Sequence, residues 1–157
     1  MTSQVLPTGS DGRPEFALAG NTPLAGKVAI VTGAGRYLGI GRAAALVLSR
    51  LGADVAVTGT GRDPSRYPDE EKAIGWHDIE SVADEIRSLG RKALPLVSDA
   101  SDSSAVDAMV ERVVGELGRV DILVCNAAAP MGEDRVPLLE VDRDVFKRVV
   151  DVKVLGS

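Results

Sequence analysis

The stretch that decides the fold is Val31–Arg42, VTGAGRYLGIGR, which carries glycines at positions 33, 35, 39 and 41. It follows an apolar run, Val28–Val31, that reads as a β-strand, and it leads into a predicted helix, Arg42–Leu51. Glycines between a strand and a helix permit a tight turn and let backbone amides approach a pyrophosphate at the positive end of the helix. The alternative is a merely flexible connection between the two elements.

Apolar runs and helical segments alternate along the rest of the chain. Three further short runs predict strands at 55–57, 93–97 and 120–124, although Pro95 could not donate in a central ladder. Apolar residues at helical spacing predict helices over 79–89 and 106–117. This alternation is typical of βαβ units and a parallel sheet. Each helix ends in a pair that supplies a left-handed stop: Leu51-Gly52, Leu89-Gly90 and Leu117-Gly118.

Two segments fall outside this alternation. Residues 1–24 mix Pro, Gly, Ser, Thr and Asn without periodicity, and we predict a flexible N-terminal arm there, followed by one domain over 25–157. Residues 60–75, directly after the second strand, form a polar stretch that is long for a connection. Its role stays open between a functional element and a tolerated surface insertion.

Composition excludes several classes of protein. The chain of 157 residues has 23 acidic and 18 basic side chains, which argues against binding a nucleic-acid backbone. No run approaches the roughly 18 uncharged apolar residues of a membrane helix. A single cysteine, Cys125, excludes an internal disulfide framework and a cysteine-rich zinc site. We see no secretory signal, and we expect a soluble, cytoplasmic domain without a nucleic-acid or membrane partner.

Four motifs in order resemble the short-chain dehydrogenase/reductase family. The first is the glycine turn, in which five residues separate Gly33 from Gly39, two more than in the usual family motif. Asp99-Ala100 resembles the pair that holds the adenine ring, with a helix N-cap as the alternative role of Asp99. Cys125–Ala128 resembles the Asn-Asn-Ala-Gly motif, and Asp151–Gly156 resembles the family's Asp-Val-Asn-x-x-Gly stretch.

The resemblance implies a Rossmann-type α/β fold, a doubly wound parallel sheet of which this chain holds the N-terminal part with about four strands. It also implies an NAD(P)-dependent oxidoreductase that transfers hydride between nicotinamide and a carbonyl or secondary alcohol, and a homo-oligomer. The alternatives are a non-catalytic nucleotide-binding or interaction module and, more remotely, another class of Rossmann protein. The predicted cofactor contacts are Gly33, Arg36, Gly39, Ile40, Gly41, Arg62, Asp99, Ala100, Asn126, Ala127 and Ala128, and no metal ligand is predicted.

The end of the second strand bears on the choice of cofactor. Rossmann proteins that prefer NAD place Asp or Glu there, where the carboxylate accepts from the ribose hydroxyls. Here Gly59 or Thr60 takes that position, and Arg62 lies just beyond. A guanidinium suits a phosphate dianion, so we predict NADP, with NAD as the alternative. Asp63 could instead neutralise Arg62.

The family's catalytic Ser and Tyr-x-x-x-Lys are not found in the chain. Neither Tyr37 nor Tyr67 has a lysine four residues later, and we interpret His77, the one histidine, as a surface residue. Lys153 stands where the family has a catalytic Asn, and its role stays open. We therefore predict no catalytic residue and an inactive chain that lacks the C-terminal strands and helices: a fragment, a shortened version of a longer protein, or a natural short protein.

Overall fold

The computed structural model describes residues 22–129, 132 and 135–156. The predicted N-terminal arm lies outside the described residues up to position 21. Within its last positions, the Leu24 amide donates to the Leu51 carbonyl oxygen at 2.9 Å, and the Leu24 side chain packs against the core. Leu24, at the end of the predicted arm, therefore contacts the domain.

Strands and helices alternate in the order that the sequence predicts. The strands are β1 (Val28–Val31), β2 (Asp54–Gly59), β3 (Ala93–Val97) and β4 (Ile122–Val124). The α-helices are α1 (Ile40–Arg50), α2 (Asp69–Ala73), α3 (Asp78–Ser88), α4 (Ser103–Leu117) and α5 (Arg143–Val150). Two 3-10 helices cover Pro64–Arg66 and Leu138–Glu140, and α5 continues as a π-helical segment over Asp151–Leu155.

The four described strands form one parallel sheet in the order β3-β2-β1-β4. After β1 the chain therefore adds β2 and then β3 on one side of the sheet, and it then returns to place β4 on the other side of β1. Val31, the last residue of β1, lies opposite Val57 of β2 and Val124 of β4. Pro95 lies in β3, at an edge of the described sheet, where a missing N–H interrupts no central ladder. The predicted Rossmann-type fold is confirmed.

Each face of the sheet carries its own apolar layer. Alternate residues of β1 and β2 point to opposite faces, because side chains alternate along a strand. One layer packs against α1 and α3 and holds Ala29, Val31, Val55, Val57, Ala45, Ile79, Val82, Ala83 and Ile86. The other packs against α4 and holds Val28, Ile30, Ala56, Leu94, Leu96, Met109 and Val113. Helices on both faces make the sheet doubly wound.

The three predicted helix stops adopt the expected backbone conformation. Gly52, Gly90 and Gly118 have φ angles of +103°, +76° and +88°, in the left-handed region that favours glycine. Each therefore turns the chain out of a helix and back toward the sheet.

Several predicted boundaries differ from the structure. Helix α4 begins at Ser103 rather than Val106, and β2 runs over Asp54–Gly59 rather than 55–57. Helix α1 begins at Ile40, two residues before the predicted Arg42, because Gly39 is its N-cap. Strand β4 begins at Ile122 rather than Val120. Residues 60–75 are not an unstructured connection, since they contain a 3-10 helix and α2. Among the described residues, no helix is long and apolar enough to cross a membrane.

Candidate cofactor site

The glycine turn lies at the point where the strand order reverses. It connects the carboxyl end of β1 to α1, and β1 has β2 on one side and β4 on the other. In open α/β sheets, ligands bind in the crevice outside the carboxyl ends of the strands at such a reversal. The topology therefore indicates a candidate ligand site at the turn 32–41 and the loop 125–129 after β4.

Gly33 and Gly41 allow the turn and that loop to pack directly on each other. Gly33 has a φ of +66°, and a Cβ built on it would lie 2.8 Å from the Cα of Ala127. A Cβ on Gly41 would lie 2.5 Å from the Asn126 Nδ2 and 2.9 Å from the Cα of Ala34. Real Cβ atoms do not approach other atoms so closely. Side chains at either position would separate the two loops.

Thr32 and Asn126 join the two loops through hydrogen bonds. The backbone amides of Asn126 and Ala127 both donate to the Thr32 Oγ1, each at 3.0 Å. The Asn126 Nδ2 donates to the carbonyl oxygens of Thr32 at 2.9 Å and Gly33 at 3.0 Å. The sequence-predicted Asn126 is therefore half-buried in the seam between β1 and β4. Ala127, which is half-buried, and Ala128, which is exposed, follow it with small side chains.

The N-terminus of α1 has the features of an anion site. Its N-cap is Gly39, which offers no side-chain acceptor, and its first turn contains no acidic residue. The first hydrogen bond of the helix is donated by the Ala43 amide to the Gly39 carbonyl oxygen. The amides of Ile40, Gly41 and Arg42 come before it in the first turn, where an α-helix offers no backbone acceptor. Ile40 is 82% exposed, which leaves this end open. Backbone N–H groups and the helix dipole there fit a pyrophosphate.

Residues 67–78 brace the two-residue-longer glycine turn. The Tyr37 amide donates to the Oε1 of Glu71, a buried carboxylate, at 2.9 Å. The Trp76 Nε1 donates to the Gly35 carbonyl at 2.7 Å, and the Tyr37 ring packs edge-on against Trp76 with centroids 5.1 Å apart. The extra turn residues thus obtain backbone partners and a ring contact. The stretch after β2 has a structural function in shaping the site.

Arg62 is paired with two carboxylates. Its Nη1 donates to the Glu71 Oε2 at 2.9 Å, its Nη2 to the Asp78 Oδ1 at 3.1 Å and to the Gly35 carbonyl at 3.0 Å. Burial lowers the pKa of Arg62, but hydrogen bonds and charges from Glu71 and Asp78 outweigh it and hold the pKa above its ordinary value. The idea that Asp63 neutralises Arg62 is wrong, because the Asp63 carboxylate accepts from the Ser65 amide instead.

The two other arginines near the turn differ from each other. Arg42 donates to both carboxylate oxygens of Glu85, at 2.7 and 2.6 Å, and its guanidinium lies over the Tyr37 and Trp76 rings. The hydrogen bond to Glu85 raises the pKa of Arg42. Arg42 therefore supports the segment 67–78 that braces the turn. Arg36 is exposed, so its side chain is accessible to a phosphate.

Asp99 and Ala100 lie beyond the end of β3, at the same edge of the sheet. The Asp99 Oδ1 accepts from the Ser101 hydroxyl at 2.7 Å and the Ser101 amide at 2.9 Å, and these bonds lower the pKa of Asp99. The alternative role of Asp99 as a helix N-cap is wrong, since Asp102 caps α4 by accepting from the amides of Ser104 and Ala105. Asp99 is exposed, and the two hydrogen bonds from Ser101 hold its carboxylate in place.

The described residues provide no catalytic constellation beside the turn. Tyr37 lies in the glycine turn, packed against Trp76, and Tyr67 lies in the segment 67–78 that braces the turn, where the Arg62 guanidinium is 4.7 Å from the Tyr67 ring centroid. His77 is exposed, as predicted, and Lys153 is exposed on the π-helical segment. No group of His, Cys, Asp or Glu within the described ranges is arranged to hold a metal ion.

Sequence reasoning missed Glu71, Trp76 and Asp78. All three are buried and contact the turn or Arg62, although they lie in a polar, aperiodic stretch. The available signal was the single tryptophan of the chain, Trp76, which is unusual among polar neighbours and directly follows Gly75.

A parallel, doubly wound sheet with a glycine turn at its switch point defines a Rossmann-type nucleotide-binding protein, and sequence comparison gives its family. The family described as short chain dehydrogenase matches residues 27–157. The cyclohexanol dehydrogenase of Rhodococcus sp. (strain TK6) is 44% identical over 125 residues, 78% of this chain and 45% of that protein. The (-)-trans-carveol dehydrogenase of Rhodococcus erythropolis is 34% identical over 134 residues, 83% of this chain and 45% of that protein. The chain belongs to the short-chain dehydrogenase family.

Solved structures agree with this assignment. Carveol dehydrogenase from Mycobacterium avium, in complex with NAD, gives a TM-score of 0.68 at 30% identity over 85% of this chain and 46% of that one. A short chain dehydrogenase from Burkholderia cenocepacia, in complex with NADP, gives 0.65 at 34% identity over 85% of this chain and 47% of that one. The chain spans slightly under half the length of these relatives.

Proposed function

We propose that this chain supplies the cofactor-binding half of an NAD(P)-dependent oxidoreductase that transfers hydride between nicotinamide and a carbonyl or secondary alcohol. The observation that carries the proposal is the glycine turn, which Thr32 and Asn126 fasten to the loop after β4 at the reversal of strand order. When bound, the cofactor would supply the hydride donor or acceptor. The residues of this chain bind and orient it.

We propose a place for each part of the dinucleotide along the edge of the sheet. The amides of Ile40 and Gly41 would hold the pyrophosphate, because they lack backbone acceptors at the open end of α1. Asp99 and Ala100 would border the adenine, and Asn126 would hold the crevice open beside Ala127 and Ala128. Small side chains at these last positions leave room for the nicotinamide half.

The names of the relatives support a narrower substrate class. Cyclohexanol dehydrogenase, (-)-trans-carveol dehydrogenase and the cis-4-hydroxycyclohexanecarboxylate dehydrogenase of Sinomonas cyclohexanicum are named for alcohols on six-membered carbon rings. We propose an alicyclic secondary alcohol, or its ketone, as the substrate of the whole enzyme. Homo-oligomerisation and a cytoplasmic location remain predictions.

The predicted preference for NADP has three supports: the missing acidic side chain at Gly59 or Thr60, Arg62, and Arg36. Because Arg62 is engaged by Glu71 and Asp78, the first and the third of these supports remain.

The test is a titration of the purified protein with NADH, followed by an assay with cyclohexanol and NAD⁺. Trp76 is the only tryptophan and contacts the glycine turn, so its emission reports binding directly. We expect saturable binding that ADP-ribose competes away, and no turnover, because neither Tyr37 nor Tyr67 is placed for proton transfer. The absence of binding by NADH and NADPH alike would refute the function. Turnover by the chain itself would refute its inactivity.

A further inference from the structure

The end of β2 lacks an acidic side chain, but a carboxylate from another element lies beside it. Gly59, the last residue of β2, has no side chain at the place where NAD-preferring Rossmann proteins carry Asp or Glu. Asp78, the first residue of α3, directs its carboxylate to this place. Its two oxygens lie 3.8 and 3.9 Å from a Cβ built on Gly59.

The same carboxylate also contacts the glycine turn. A Cβ built on Gly35 would overlap the Asp78 Oδ1 and lie 3.3 Å from its Oδ2. The Asp78 carboxylate therefore sits between the end of β2 and the turn that follows β1. In a Rossmann site the adenosine ribose lies between these two segments, because the pyrophosphate rests on the turn and the ribose on the end of the second strand.

Asp78 keeps capacity to accept a further hydrogen bond. Arg62 donates three times to it: the Nε and Nη2 to Oδ1 at 3.3 and 3.1 Å, and the backbone amide to Oδ2 at 3.2 Å. A carboxylate has about four acceptor positions, so one on Oδ2 is left. These bonds also fix the carboxylate in place, and Asp78 is only 6% exposed.

The charge balance around this carboxylate opposes a second phosphate. Arg62 is one positive charge facing two negative ones, Glu71 and Asp78, at 2.9 and 3.1 Å. Arg62, Glu71 and Asp78 together therefore carry a net negative charge, although Arg62 is the residue that sequence analysis predicts to contact the 2′-phosphate. A phosphate dianion placed against Asp78 would meet repulsion that the guanidinium, already shared, does not offset.

We propose that Asp78 is the specificity-determining residue of this site: its carboxylate accepts a hydrogen bond from a hydroxyl of the adenosine ribose and excludes the 2′-phosphate, so that the protein prefers NAD(H). The assignment rests on the proposed function. It replaces the predicted NADP preference, and it gives the segment after β2 a role in cofactor choice, because that segment carries both partners of Arg62.

The experiment compares NADH and NADPH titrations of the wild-type protein, Asp78→Asn and Asp84→Asn at one fixed salt concentration, with Trp76 emission as the readout. Asn keeps the shape of Asp78 and tolerates its positive φ of +53°. Asp84→Asn is the matched control, because it makes the same change on α3 at an exposed carboxylate that pairs with Arg87 and leaves the carboxylate beside Gly59 in place.

We expect wild type to bind NADH at least about tenfold more tightly than NADPH, as a charge-assisted hydrogen bond and phosphate repulsion require. Asp78→Asn should weaken NADH binding, strengthen NADPH binding and lower the affinity ratio about tenfold or more, whereas Asp84→Asn should keep the wild-type affinity for both cofactors. Equal or stronger wild-type binding of NADPH overturns the proposal even if Asp78→Asn does not fold. Equal changes in both variants also overturn it, since the effect would then come from the loss of charge on α3 and not from the carboxylate beside Gly59. Wild type that binds neither cofactor refutes the proposed function itself.

Discussion

Replacing Gly41 by alanine tests the packing of the cofactor turn. The new Cβ would lie 2.5 Å from the Asn126 Nδ2 and 2.9 Å from the Cα of Ala34, so the Asn126 amide must move. Overpacking of this kind costs about 1–3 kcal/mol. Displacement of Asn126 also breaks its hydrogen bonds to Thr32 and Gly33, at about 1 kcal/mol each. Alanine returns at most about 1 kcal/mol of helix propensity. We expect a net destabilisation of about 2–4 kcal/mol.

The matched control is Gly115→Ala, in the exposed part of α4, where a Cβ meets no atom within 4 Å. This variant should be more stable than wild type by about 0.5–1 kcal/mol. The assay is urea unfolding of both variants, followed by NADH titration. Gly41→Ala should lose at least about tenfold in affinity, because the first turn of α1 moves with Asn126. If Gly41→Ala is as stable as wild type and binds NADH equally well, the close packing of the two loops is refuted.

Three other predictions concern the contacts around the site. Thr32→Val removes the hydroxyl that accepts from two backbone amides, so it should lower the unfolding free energy by about 1–3 kcal/mol and weaken NADH binding. Unchanged urea unfolding would contradict the role of these hydrogen bonds in joining the two loops. Arg62→Ala leaves the carboxylates of Glu71 and Asp78 without their counter-ion and should cost about 2 kcal/mol in urea unfolding, less than a fully buried pair because Arg62 is partly exposed. Hydrogen bonds from Arg119, Val28 and Lys27 lower the pKa of Asp121 from 3.8 to about 2. The ionised Asp121 carboxylate therefore stabilises the fold fully at pH values above its ordinary pKa, and this stabilisation is lost as the pH falls through about 2. Asp121→Asn should flatten this part of the acid-unfolding profile, and a profile identical to wild type would refute the assignment.

Local sequence patterns were sufficient to predict the sheet. Val28–Val31 is fully buried and β-branched at three of its four positions, which is typical of a central parallel strand. The Leu-Gly pairs located the helix ends because a left-handed residue is a local requirement that glycine meets. The glycine turn was located by its place between a strand and a helix, although its spacing is two residues longer than usual, and Asn126 was located by the resemblance of its motif.

The brace could not be predicted because its contacts join distant, aperiodic residues. Tyr37 and Glu71 are 34 positions apart, and Gly35 and Trp76 are 41 apart. A polar stretch gives no periodic signal for such pairs. Arg62 shows the consequence: its position suggested a phosphate ligand, whereas its actual environment depends on Asp78, 16 residues later, and on how α3 begins.

The most direct test of the cofactor site is residue-resolved amide hydrogen exchange of the protein with and without saturating NADH. The amides of Ile40, Gly41 and Arg42 have no backbone acceptor at the start of α1, so they should exchange rapidly in the free protein. A pyrophosphate bound at this end would give them acceptors, and they should become protected, while amides in the exposed turn at Gly90 stay unchanged. Saturation by NADH without new protection at residues 40–42 would show that the cofactor binds elsewhere and would contradict the account.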